Sequence, residues 1–116
     1  MKHLRIHRKF GRPADFRRSF LWNLIGDLIL KERIKTTEAR AKEIRSMVEK
    51  AITRAKVDNL SNRRLLIKNL GLKSVNKLFK DISPRFIDRS GGYSRILKSE
   101  VRKNDGAKMA IIEIIK

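Results

Sequence analysis

One segment limits the possible folds more than any other. Between Ala14 and Lys31, the apolar residues Phe16, Phe20, Leu21, Leu24, Ile25, Leu28 and Ile29 recur at helical spacing. At 100° per residue, and with Trp22 at one edge, they cover about two-thirds of the helix circumference, whereas a one-sided surface helix needs only a stripe about 100° wide. This helix must therefore be covered on several sides, so the rest of the chain has to wrap it. Pro13 before the helix and Asp15 in its first turn are favourable opening chemistry. Phe16 and Trp22 are read as core residues with the others.

The remaining pattern supplies the wrapping. Residues 33–37 hold Ile34 and the two β-branched residues Thr36 and Thr37, which suggests a short strand and leaves either threonine to cap a second helix starting near Glu38. There Ala41, Ile44, Val48, Ala51, Ile52 and Ala55 form a stripe about 100° wide, and Lys42, Arg45, Glu49, Lys50 and Lys56 face away. Leu60, Leu66, Ile67 and Leu70 mark a third helix ended by Gly71. Val75, Leu78, Phe79 and Ile82 mark a fourth, ended before Pro84. The period then changes. Residues 95–101 alternate, Asn104, Asp105 and Gly106 supply a turn, and residues 107–115 are rich in Ile, as in an antiparallel hairpin. The order α-β-α-α-α-β-β predicts an α+β fold of about four helices packed on a small sheet. A chain of 116 residues has room for one core.

Charge narrows the function. Thirty Lys and Arg against twelve Asp and Glu leave a formal +18, on a body small enough for like charges to repel at physiological ionic strength. A polyanionic partner is expected. No apolar run is long enough to span a bilayer and no signal-type segment opens the chain, so nucleic acid is favoured over membrane. With no cysteine there is no disulfide or thiolate zinc site. The N-terminus is Arg-rich but poor in Ser and reads as mature sequence.

The first eighteen residues carry seven Lys or Arg (Lys2, Arg5, Arg8, Lys9, Arg12, Arg17 and Arg18) against the single acid Asp15, with His3 and His7 interspersed. Before Pro13 only Leu4, Ile6 and Phe10 are apolar, too few for a packed element. Residues 1–13 are therefore expected to be an extended basic arm on a single domain of residues 14–116. Such an arm gains most by lying along phosphates and releasing their counterions; the plain alternative is a solvated tail. His3 and His7 form an incomplete metal site and lack an oriented partner for acid–base work.

A second stretch, running from Pro84 through Arg85, Phe86, Arg89, Gly91, Gly92, Tyr93 and Arg95, has two readings. It could be a backbone that approaches RNA closely, with Tyr93 as a stacking face, or a glycine turn entering a strand, with Phe86 and Tyr93 in the core. It lacks the Lys-Ser/Thr ending of a P-loop. Asn62, Arg63 and Arg64 at the start of the third helix could hold phosphate or face solvent. A DNA-binding regulator fits the consecutive helices as a rival, and an RNA-modifying enzyme would need a convergent catalytic set that no spacing here supplies.

Several segments together resemble the bacterial large-subunit ribosomal protein seventeen family from end to end. They are His7-Arg8-Lys9 with Gly11-Arg12, Ile34-Lys35-Thr36-Thr37, Ala41-Lys42-Glu43-Ile44-Arg45, Asn62-Arg63-Arg64, Lys77-Leu78-Phe79, and Pro84-Arg85-Phe86 running to Gly91-Gly92-Tyr93-Ser94-Arg95-Ile96-Leu97. The resemblance implies a two-layer α+β fold with a small mixed three-stranded sheet. It also implies a structural, non-enzymatic role in binding large-subunit rRNA near the rim of the peptide exit tunnel, beside neighbouring ribosomal proteins. The implied location is the cytoplasmic ribosome, an organelle ribosome remaining open, with no cofactor, metal, membrane or small-molecule substrate. The rRNA-binding set expected from arm, motifs and resemblance is Lys2, His3, Arg5, His7, Arg8, Lys9, Arg12, Arg17, Arg18, Lys35, Arg63, Arg64, Arg85, Arg89, Tyr93 and Arg95. Two departures are visible: Phe16-Arg17 stands where relatives usually read His-Arg, and Trp22 stands where they often carry a basic residue.

Overall fold

A computed structural model describes residues 8–116. Pro13, extended at φ −57° and ψ 157°, caps helix α1 (Ala14–Lys31), which has the bounds expected from the sequence. Glu32 then takes a left-handed φ of 63° and its N–H donates to the Leu28 carbonyl, turning the chain into strand β1 (Arg33–Thr37). Thr37, not Thr36, caps helix α2 (Glu38–Ala55): its hydroxyl accepts from the Arg40 N–H at 3.4 Å, while Thr36 points into the core. All six residues of the expected α2 stripe are buried. Asn59 caps helix α3 (Leu60–Leu70) by accepting from the Asn62 N–H at 2.8 Å, and Gly71 separates α3 from the short α4 (Leu72–Lys77).

The fourth helix does not stop before Pro84. It widens into a π segment, Leu78–Ile82, and tightens into a 3-10 turn, Ser83–Phe86, with Pro84 near the start of that turn. Proline lacks an N–H and is tolerated where a helical segment begins, so it changes the winding here without ending it. The widened and tightened turns bring Leu78, Phe79, Ile82 and Phe86 all into the core.

Strands β2 (Ser94–Lys98) and β3 (Met109–Ile114) complete the sheet. Its order is β1-β3-β2, and both pairs are antiparallel, with Arg33 opposite Glu113, Ile34 opposite Ile112 and Ile96 opposite Ile112. The expected mixed sheet is thus corrected to an antiparallel one. β1 and β2 do run in the same direction, but β3 lies between them and pairs with each. Alternation along β3 sends Ala110, Ile112 and Ile114 inward and leaves Met109, Ile111 and Glu113 on the outer face.

Helix α1 is central, as its wide apolar face requires: it touches α2, α3, α4, β1 and β3. Ile25, Leu28 and Ile29 are fully buried, and Gly26 faces α4, where an added Cβ would make ordinary van der Waals contact with Ser74 Oγ at 3.5 Å. Phe16 is an exception. It is 70% exposed, because burial along α1 begins only near Phe20 and Leu21 and the first turn overhangs the body. Trp22 is partly buried and packs on the core from its edge.

Candidate nucleic-acid interface

The described root of the arm is attached to the body. Residues 9–12 make a turn in which the Arg12 N–H donates to the Lys9 carbonyl at 3.2 Å, and Phe10 and Gly11 have φ values of 53° and 62°. Gly11 adopts this left-handed geometry at no steric cost, whereas Phe10 needs compensation. Its ring supplies it by packing edge-on against Phe20 of α1, centroids 5.9 Å apart. The same Phe20 ring receives the guanidinium of Arg12 at 4.1 Å and that of Arg40, from α2, at 4.8 Å. Each such cation–π contact contributes on the order of 0.5–1 kcal/mol at a surface. Residues 8–13 are thus turned and pinned, not extended throughout. Lys2, His3, Arg5 and His7, expected to bind RNA, lie outside the described residues.

The other expected residues fall into three groups. Lys9, Arg18, Lys35, Arg64 and Arg89 are exposed and make no salt bridge among the described residues, so their charge faces outward. Arg17 is partly covered, its guanidinium reaching the Arg12 carbonyl at 3.5 Å.

A second group is already paired. Arg8 lies 3.6 Å from Glu43 of α2. Arg63 grips Asp58 through both of its carboxylate oxygens, at 2.6 and 2.9 Å, and its guanidinium lies over Phe79 at 4.6 Å. The Arg63 bond holds the Asp58 carboxyl below its ordinary pKa. Arg85 pairs with Glu32, which Lys77 also approaches at 3.5 Å; the Arg85 hydrogen bond is the main reason that the Glu32 carboxyl titrates low. Arg95 bonds Glu113 at 2.7 Å across the outer face of the sheet, with Arg33 on the other side of Glu113 at 3.7 Å. These arginines brace the fold, and a phosphate approaching them meets a partly neutralised charge.

Tyr93 forms the third group and requires a correction: it is 1% exposed and presents no stacking face. Its ring packs on Phe86 at 5.0 Å; its hydroxyl donates to the Arg89 carbonyl at 3.1 Å and accepts from Thr53 Oγ1 at 3.3 Å. Lys56 Nζ lies 4.7 Å from the ring and donates to that same Arg89 carbonyl, and its proximity lowers the phenol pKa. The glycine stretch is therefore a turn entering β2. Gly92, at φ 64°, supplies the conformation that swings Tyr93 inward.

Among the exposed cations outside the expected set are Lys50 and Arg54. Lys50 and Arg54 follow one another along the outer side of α2, and neither side chain has an ion-pair partner among the described residues. The sequence placed Lys50 on the solvent side of α2; the signal that would have singled out both was their four-residue spacing beside Met47 and Ala51. Among the described residues no group of three or more His, Cys, Asp or Glu could hold a metal, and no helix is long and apolar enough to cross a membrane.

Comparison with known proteins gives a consistent answer. The family model described as "Ribosomal protein L17" matches residues 20–115. A relative called large ribosomal subunit protein bL17, from Caldanaerobacter subterraneus, is 50% identical over 110 residues, covering 94% of this chain and 98% of its own. Proteins of the same name from Halalkalibacterium halodurans (47% identical, 92% and 97% covered) and Fusobacterium nucleatum (46%, 99% and 100%) are similar along nearly their whole lengths.

Proposed function

Because the chain belongs to the ribosomal protein L17 family, we propose that it is a structural constituent of the large ribosomal subunit that binds and stabilises large-subunit rRNA, without a catalytic step. The observation that carries this reading is the charge left over. With a formal +18, and with Asp58, Glu32 and Glu113 already engaged by Arg63, Arg85 and Arg95, the surface still presents Lys9, Arg18, Lys35, Arg64 and Arg89 outward. Folded RNA supplies the dense negative charge that such a surface needs.

In this reading the body docks on folded rRNA, and the arm ahead of Arg8 threads between RNA segments from a root, residues 8–13, fixed where Phe10 packs on Phe20. The position is near the rim of the peptide exit tunnel, beside other large-subunit proteins. Lys2, His3, Arg5, His7, Lys9, Arg12, Arg17, Arg18, Lys35, Arg64 and Arg89 are the RNA-facing candidates, and Arg8, Arg63, Arg85 and Arg95 contribute by holding the surface in shape.

Sucrose-gradient sedimentation of a lysate at low and high salt tests the assignment, with co-migration with the large subunit expected to survive moderate salt. Binding to isolated rRNA tests the physics: neutralising about six to ten phosphates predicts a roughly 10³- to 10⁵-fold loss of affinity between 50 and 200 mM salt. A flat salt response, or a protein found only at the top of the gradient, overturns the reading.

A further inference from the structure

Trp22 is the only tryptophan of the chain, and it borders a small slot between three helices. The slot has a volume of about 180 Å³ and is lined by Trp22 of α1, Met47, Lys50, Ala51 and Arg54 of α2, and Leu66 of α3. Drug-sized ligands occupy cavities of roughly 300–1,000 Å³, so this one suits a single flat ring. Its chemistry is divided: an indole, a thioether and aliphatic carbon inside, with a lysine and an arginine as its only charged lining and no acid.

We propose that this slot receives one unstacked base of single-stranded RNA, packed against Trp22, while Lys50 and Arg54 hold the adjoining phosphates. The inference rests on the rRNA-binding reading and adds to it a base contact made by an unpaired nucleotide. Three observations support a nucleotide over an apolar protein side chain. The rim is cationic and free of acid. On one side the charge continues: Lys50 also borders a concavity that holds Arg8, Arg17 and Arg18 against one acid, Glu43, which Arg8 approaches at 3.6 Å; on the other side, Lys50 and Arg54 border a concavity that holds Glu49 and reaches Ser90 and Gly91. A backbone leaving the slot toward Arg17 and Arg18 therefore runs over cations. Finally, the slot is built by helices that meet in the core, with Ala51 and Leu66 buried, so it exists before a ligand arrives. Bases recognised on RNA are those splayed from loops and ends, stacked on aromatic side chains.

Because Trp22 is the sole indole, its emission reports on the slot directly. The full-length protein is titrated with a mixed-sequence single-stranded RNA oligonucleotide and with the same strand in a duplex, following Trp emission and, in parallel, the anisotropy of labelled RNA. Single-stranded RNA is expected to quench the emission by half or more, and the duplex to bind with little quenching. Trp22→Leu keeps the slot apolar and is expected to weaken single-strand binding about 5- to 150-fold, the range for losing one base–aromatic stack, leaving duplex binding within about twofold. Trp22→Phe should recover most of the loss. A thermal melt of each variant confirms folding.

If anisotropy rises while emission stays constant, or if duplex quenches equally, the slot takes no base, though RNA binding stands. If emission responds only to added large-subunit proteins, the occupant is a protein and the proposal fails. If neither RNA binds, the rRNA-binding reading falls and the slot assignment with it.

Discussion

Replacing Ile112 by Ala tests the register on which the whole sheet depends. Ile112 is completely buried at the middle of the central strand, opposite Ile34 on one side and Ile96 on the other. Ile→Ala removes three carbon groups, at about 0.8 kcal/mol each when fully buried. The cavity left among β-branched neighbours adds to this, so the loss should fall at roughly 3–4 kcal/mol, within the range measured for such truncations. Against a total stability of about 5–15 kcal/mol, that is a large share, and it should lower Tm by roughly 10–15 °C. The control is Ile111→Ala, one residue away, whose side chain lies on the outer face and is only half-buried. It should cost no more than about 1.5 kcal/mol. Urea denaturation followed by far-UV circular dichroism gives both values from the shift in midpoint at constant slope. Equal losses, or a greater loss for Ile111, would refute the reasoning, because a slip of one residue exchanges the two faces of the strand.

Other perturbations probe the remaining features. Thr37→Ala removes the hydroxyl that accepts from Arg40, and with a bond of 3.4 Å it should cost about 0.5–1 kcal/mol, near the low end for cap losses, read from the same denaturation assay. Glu32 has its carboxyl pKa lowered below the ordinary 4.5, chiefly by Arg85. Its contribution to stability is thus complete above pH 4.5 and lost as pH falls through the lower folded value, so Glu32→Gln should flatten the acid limb of a Tm–pH profile. Arg102 holds the exposed Asp105 carboxyl at about 2, so its contribution is present above the ordinary 3.8 and lost toward pH 2, and Asp105→Asn should remove only that most acidic part of the slope. Arg18→Ala and Arg64→Ala should each reduce the slope of log affinity for rRNA against log salt by about 0.9. Arg63→Ala should change that slope less and lower Tm, since Arg63 is engaged by Asp58 and Phe79.

The elements whose signals are local were readable before any coordinates. Helix α1 is bounded by Pro13 and by the end of its apolar repeat, and the α2 stripe is buried residue for residue as its period demands. What could not be read depends on residues distant in the chain. Nothing near Arg85 or Arg95 announces that Glu32 and Glu113 await them, so both look like free cations in the sequence. Tyr93 has the same composition around it whether its ring stacks on RNA or enters the core; its partners Thr53 and Lys56 come from another helix. Phe16 continues the α1 period but lies one turn beyond the reach of the helices that cover the rest. Asp58, by contrast, stands five residues from Arg63, close enough that their pairing was open to inference.

The position of β3 has a consequence for how the molecule comes into being. Among the described residues the third strand in sequence is the middle strand of the sheet, so β1, made early, and β2 have no strand to pair with until β3 is made. During synthesis the helices have a local route to order and β2 meets β3 as a hairpin, whereas the β1 ladder waits for a contact closed across most of the polypeptide, the kind that sets slow folding rates. Deleting residues 109–114 would therefore not trim an edge. It would remove the one strand through which the other two are joined.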